Sequence, residues 1–268
     1  MMVMRPRLSM PLIDLSAERL RLYRQAGAEE VSLPSGALGT ERIMDRPVRP
    51  LVPPAQLREA GRPGRWDEDE LRRMIARCAE FGLEACAREL PLSGALLGGQ
   101  REEASPAAQQ QRQADLATVT ANICTAAAAG IRVLTWNFTA LRSSEGYGAV
   151  LGGGRGGADL RDFDSARLGR EPLPEGPPLP CTHEQMWERL RQLLHVIVPV
   201  AERAGVVLAL HPTDPPVAVF RGVAQILTSF VECQRLVLMV DSPSNCFFLD
   251  TVSERFRLIP LSRLSVYP

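Results

Sequence analysis

His211 is the residue with the clearest chemical potential, because it closes an apolar run, Val206 to His211, and opens the segment HPTDPP. An imidazole at the carboxyl end of a strand, followed by a proline-stiffened loop, is held rigidly at the mouth of a sheet. A metal ligand or a catalytic base needs that placement. The competing reading is a capped, solvent-facing histidine. About thirty residues later the segment LVLMVDSPSNCFFLD ends a second apolar run, Leu236 to Asp241, with Asp241, Ser242 and Asn245, and reaches Asp250 after a short apolar stretch. Carboxylate and imidazole at neighbouring strand ends can share a divalent ion, and mixed nitrogen and oxygen donors suit manganese, iron or zinc. Asp241 reads equally well as a turn-forming aspartate.

The run IRVLTWNF places Trp136, Asn137 and Phe138 at another strand end, where an amide can bind hydroxyl groups and an aromatic face can pack on the C–H surface of a sugar. Core packing is the alternative for both aromatics. Gly152 to Gly157 reads GGGRGG. It does not follow a strand directly and open a helix, as a phosphate loop must, so it is read as a loop offering Arg155 to an anion, or as a featureless one. His195, within a helical pattern, and His183, beside Pro180 and Cys181, are read as structural.

The elements that must position these groups are legible as alternating patterns. Strands are expected at Glu30 to Leu33, Leu83 to Ala87, Ile131 to Trp136, Val206 to His211 and Leu236 to Asp241, with weaker ones near Pro11 to Leu15 and Phe256 to Pro260. Helices are expected at Ala17 to Ala26 behind a Ser16 cap, Trp66 to Phe81, Gln113 to Ala129 and Gln185 to Ala204. The last carries an apolar stripe from Leu190 to Ala204, a proline at Pro199 that should kink the helix or mark a first turn after a break, and a stop at Gly205. Helix, glycine, buried strand is an α/β crossover unit, and its repetition implies a parallel sheet. That pattern leaves a doubly wound sheet and a barrel both open. Long loops are read at about 34–65, 92–105 and 139–182, all after strands, where a barrel builds its active site.

Composition bounds the function. The chain has 268 residues, 45% hydrophobic, with 31 basic and 31 acidic side chains, enough for one large domain with a sizeable core. Zero net charge and a pI near 6.8 remove the electrostatic drive toward nucleic acid or anionic lipid. Every basic side chain is arginine, which excludes a P-loop lysine, a Schiff-base lysine and a lysine base. Six scattered cysteines without a CxxC pair fit a reducing compartment. With no signal-peptide pattern and no apolar run of bilayer length, a cytoplasmic protein is expected.

Several segments together resemble the mannonate dehydratase family: VLTWNF, then GRGGADLRDFD, then VIVPVAERAGVVLALHPTDPPVAVFRGVAQIL, then VDSPSNCFFLDTVS. Upstream, WDEDELRRMIARCAEFGLEACARELP is similar to the family's helix and strand before a glutamate-bearing strand end, here Glu89. The likeness runs from about Leu20 to Ser253. It implies an α/β fold, a TIM-type (β/α) barrel of the xylose isomerase-like kind, and dehydration of D-mannonate to 2-keto-3-deoxy-D-gluconate in hexuronate breakdown, with manganese or iron(II) as cofactor. His211 matches the family's metal-ligating HP histidine. The family pattern DSPSNGLxxCxGS places a ligating cysteine where this chain has Asp250, and a glycine where it has Cys246. Aspartate can replace a thiolate on a hard or borderline ion, with a shift toward manganese.

The resemblance also implies that the family's remaining ligands and final strands lie beyond Pro268. The expectation is therefore one domain over residues 1–268, a barrel incomplete at the C-terminus, whose open edge favours a homo-oligomer. His211 and Asp250 are the expected metal ligands, and Asn137, Arg155 and Arg221 the expected contacts to a small sugar-acid substrate, with no nucleic acid or membrane partner. Two alternatives stand beside this: a sugar isomerase or epimerase of the same barrel class, with Glu89 as a ligand, and an inactive relative.

Overall fold

A computed structural model of the chain describes residues 7–12, 14–33, 64–97, 105–139, 148–163, 181–213, 216–220 and 223–248. In chain order the elements are β1 (Ser9–Pro11), α1 (Ala17–Gln25), β2 (Glu30–Leu33), α2 (Glu68–Ala79), β3 (Glu84–Glu89), the short α3 (Gly94–Leu97), α4 (Pro106–Ala129) and β4 (Val133–Asn137). There follow a hairpin of β5 (Gly148–Val150) and β6 (Leu160–Asp162), α5 (His183–Ala204), β7 (Val207–His211), a small hairpin of β8 (Val219–Phe220) and β9 (Val223–Ala224), α6 (Phe230–Met239) and β10 (Asn245–Phe247).

Six strands form one parallel sheet in the order β1-β2-β3-β4-β7-β10. The order follows the chain without reversal. A doubly wound fold reverses at a switch point; a sheet wound in one direction with right-handed crossovers keeps its helices on one face, as a (β/α) barrel does. Among the described residues β1 and β10 are the two edges of this sheet.

Local signals set the two central strands. Helices α4 and α5 both stop at a glycine in the left-handed region, Gly130 (φ 102°) and Gly205 (φ 67°). In each case the next residue's N–H reaches five residues back, Ile131 to the Ala126 carbonyl and Val206 to the Ala201 carbonyl, both at 2.9 Å. These are Schellman stops, which satisfy the last helical carbonyls and turn the chain directly into a strand. At the other end, Thr182 and Gln185 form a reciprocal capping box for α5. Helix α5 runs through Pro199, which is exposed on the outer face, so the break expected there does not occur. Its inner stripe, Leu190, Leu193, Leu194, Ile197 and Ala201, packs with Val119, Ile123 and Ala126 of α4 in the core that also holds Leu134, Trp136, Leu208 and Leu210.

Four expectations are corrected. Leu236 to Asp241, read as a strand, begins inside helix α6; Ser229 caps that helix, accepting from the Glu232 N–H. The strand is the later Asn245–Phe247. The loop read at 139–182 contains the β5–β6 hairpin, and the one at 92–105 contains α3. Helix α4 starts at Pro106 behind Ser105, seven residues before Gln113, because the polar run QQQRQ hid the apolar spacing. Residues 34–63 and the weak strand at Phe256 to Pro260 lie outside the described residues.

Asn245 ties this last unit together. Its side chain is 1% exposed and donates to the Leu236 carbonyl at 2.9 Å and the Val240 carbonyl at 3.0 Å, joining the end of α6 to β10. Asn245→Ala strips both buried carbonyls of their donor, and unfolding stability should fall by about 1–3 kcal/mol. A urea titration would show this as a lower midpoint with unchanged slope.

Candidate active site at the strand ends

In a parallel ladder, residues paired in register point to the same face of the sheet. Leu134 pairs with Leu208 and Trp136 with Leu210, and all four are buried on the helix side. Thr135 therefore shares the opposite face with Ala209, and Asn137 with His211. Strand β3 extends the set: Ala87 pairs with Val133 and Glu89 with Thr135, while Arg88 turns to the helix side and lies 4.2 Å over the Trp66 ring. Burial there lowers the Arg88 pKa to about 10, which still leaves the group cationic at neutral pH. Strand β10 completes the set, with Cys246 beside Ala209 and Asn245 and Phe247 on the helix side.

The inner face thus carries Val133 and Val207 at its base beside Ala87, then Thr135, Ala209, Cys246 and Glu89 at one level, beneath a rim of Asn137 and His211. Asn137 and His211 end adjacent strands, about 4.8 Å apart in backbone. Glu89 is two strands from His211 and level with Ala209, two residues short of it, so its backbone is about 12 Å away on the same spacings, and its side chain is exposed.

His211 is held from two sides. Its Nδ1 lies 2.6 Å from the Pro212 carbonyl oxygen. A carbonyl can only accept, so Nδ1 carries the hydrogen and Nε2 the lone pair of the neutral ring. Metal-ligating histidines are set up in this way, with the other ring nitrogen donating to a carbonyl or carboxylate. Phe248 stacks on the imidazole at 5.4 Å between centroids and 16° between planes. The following loop is anchored too. Thr213 donates from Oγ1 to the Ile226 carbonyl at 2.5 Å and from its N–H to the Leu227 carbonyl at 3.2 Å. Leu227 is buried in the left-handed region at φ 62°, a conformation that costs a non-glycine residue about 1–2 kcal/mol.

Other candidates fall elsewhere. Asp241 follows α6, at the opposite end of the sheet from His211, where the chain enters β10; its neighbour Ser242 donates to Glu202. Arg155 is exposed in a one-turn 3₁₀ segment, Arg155–Gly157, at the tip of the β5–β6 hairpin, outside the register that unites Asn137 and His211. Asp250 and Arg221 lie outside the described residues. His183 donates from Nε2 to the Ala218 carbonyl at 3.0 Å, and His195 is exposed on α5; neither lies on the ladder that unites Asn137 and His211. Among the described residues no group of three or more His, Cys, Asp or Glu side chains converges on one point. The donor at this rim fits a divalent ion in kind, through the His211 tautomer.

Phe248 escaped the sequence reading. Its signal was the alternation in NCFF: if Asn245 and Phe247 face the helices, Cys246 and Phe248 face inward.

All six cysteines are free thiols. Burial pushes the thiols up, Cys78 to about 11 and Cys233 to about 12, and raises Cys246 as well. Cys124 is exposed on α4. Iodoacetamide at mildly alkaline pH should therefore label Cys124 of the native protein first and leave Cys78, Cys233 and Cys246 largely unmodified until denaturant is added, which peptide mass mapping would read.

Residues 180–256 match the family model for D-mannonate dehydratase (UxuA). The mannonate dehydratase of Bacillus subtilis (strain 168) is 44% identical over 70 residues, 26% of this chain and 19% of that protein. That of Geobacillus thermodenitrificans (strain NG80-2) is 42% identical over 64 residues, 24% of this chain and 17% of that protein. The crystal structure of mannonate dehydratase from Streptococcus suis serotype 2 superposes with a TM-score of 0.66 at 22% identity, covering 90% of this chain and 61% of that one. The chain thus resembles the mannonate dehydratase family in sequence over the segment that carries His211, and in fold over most of its described length. The aligned segments span less than a fifth of the curated relatives. Among the described residues no helix is long and apolar enough to cross a membrane.

Proposed function

We propose, from a mannonate dehydratase-like segment seated on the matching fold, that this chain is a sugar-acid lyase that dehydrates D-mannonate to 2-keto-3-deoxy-D-gluconate. The observation that carries the reading is the coincidence of the matched segment, 180–256, with the strand end where His211 stands beside Asn137. In that reaction C2 of the sugar acid loses its proton and the electron pair becomes a C2–C3 double bond. The C3 hydroxyl leaves as water, and the resulting enol takes a proton at C3 to become the 2-keto acid.

A divalent ion, manganese or iron(II), would be held by His211 through Nε2 and by the Asp250 carboxylate, and would supply Lewis-acid charge where negative charge develops beside the substrate carboxylate. The Asn137 amide, on the same rim, both donates and accepts, which suits a sugar hydroxyl. Arg155 and Arg221 are the proposed guanidinium partners of the substrate carboxylate, for which a planar fork is the preferred geometry. The six free thiols support a reducing, cytoplasmic setting.

A second reading is favoured by Glu89, which ends β3 on the same face: a sugar isomerase or epimerase with Glu89 among its metal ligands. The two differ in product and in sensitivity to Glu89→Ala, which the isomerase reading requires to abolish metal binding.

The purified chain, supplied with Mn2+ or Fe2+ and D-mannonate, should yield a 2-keto acid, and His211→Ala should abolish it. Chelation should stop the reaction and re-addition of metal restore it. No product with either metal would refute lyase activity and leave the inactive relative.

A further inference from the structure

We infer that Phe248 is the positioning residue of His211, holding the imidazole plane so that Nε2 faces the inner side of the sheet; the inference rests on the reading of His211 as a metal ligand. The last torsion of a histidine side chain is broad and roughly two-fold, so a strand-end backbone does not by itself fix the ring plane. Two contacts among the described residues act on it here. The Pro212 carbonyl fixes which nitrogen bears the hydrogen, and the Phe248 face lies nearly parallel to the ring at 5.4 Å. Both Phe248 and His211 are placed by the same ladder. The Phe248 N–H donates to the Leu210 carbonyl at 2.8 Å, which carries the β7–β10 pairing one residue past Phe247.

The partner's exposure argues for the same role. Phe248 is 44% exposed, whereas Phe247 beside it packs edge-on against Phe230 under the helices. A phenyl ring left half in water contributes little to core burial; among the described residues its ring contact is with His211.

Three variants and two readouts test this. Phe248→Leu keeps apolar bulk but removes the flat face, Phe248→Tyr keeps the face, and His211→Ala assigns the imidazole signals. Proton NMR of the metal-free chain should show the His211 ring protons shifted upfield by the phenyl ring current, with one set of sharp signals. Phe248→Leu should move them downfield and broaden or double them, and Phe248→Tyr should retain the parent pattern. Co2+ alone, followed by its visible absorption, should bind Phe248→Leu about three- to tenfold more weakly, the range expected for one aromatic pair, and Phe248→Tyr within about twofold of the parent. Unchanged ring signals in Phe248→Leu would overturn the positioning role, and so would an unchanged Co2+ affinity in a background where His211→Ala lowers it. Should His211→Ala leave Co2+ binding intact, the ligand reading of His211 fails instead, and the ring signals alone decide whether Phe248 orients it.

Discussion

The parallel ladder between Val133–Asn137 and Val207–His211 is the constraint on which the site depends. With Leu134 opposite Leu208 and Trp136 opposite Leu210, the core leaves the register no freedom: a slip of either strand by one residue would turn its two buried apolar side chains toward the inner face and bury its Asn137 or His211 against the helices. The hydrophobic demand of one face thereby fixes the chemistry of the other. Two matched Schellman stops deliver both strands, so helix, glycine and strand lengths combine to bring an amide and an imidazole to the same rim. The loop beyond is held just as firmly, by Thr213 and by a buried leucine kept in an unfavourable backbone region.

Much of this was legible in the residues. The alternation in VLTWN and VLALH marks one greasy and one small or polar face, and a histidine at the end of such a strand is visible without coordinates. Where the reading failed, two physical signals competed. LVLMV is apolar enough for a buried strand, but Ser229 followed by Glu232 is a helix-start signature; the carboxylate of Glu232 accepts from both the N–H and the hydroxyl of Thr228, which settles the helix. That misreading put Asp241 at the wrong end of the sheet. The β5–β6 hairpin was hidden because its strands are three residues each and its turn is glycine-rich, leaving no periodicity to detect.

The distribution of likeness has a physical sense. Sequence identity concentrates in residues 180–256, which span α5, β7, the small hairpin, α6 and β10, while the remainder follows the Streptococcus suis fold at 22% identity overall. Helix-to-sheet packing tolerates exchange among apolar residues of similar volume. At the strand end the backbone register and the Pro212 carbonyl, which accepts from His211 Nδ1, both act on one imidazole, so a change there alters the site itself.

The central claim is that His211 carries its hydrogen on Nδ1 and offers Nε2 to the site. A long-range nitrogen–proton correlation spectrum of the uniformly labelled chain at mildly alkaline pH, with His211 assigned by its loss in His211→Ala, measures this directly. The account predicts a protonated Nδ1 and an unprotonated Nε2. The opposite tautomer, or an even mixture of the two, would contradict it.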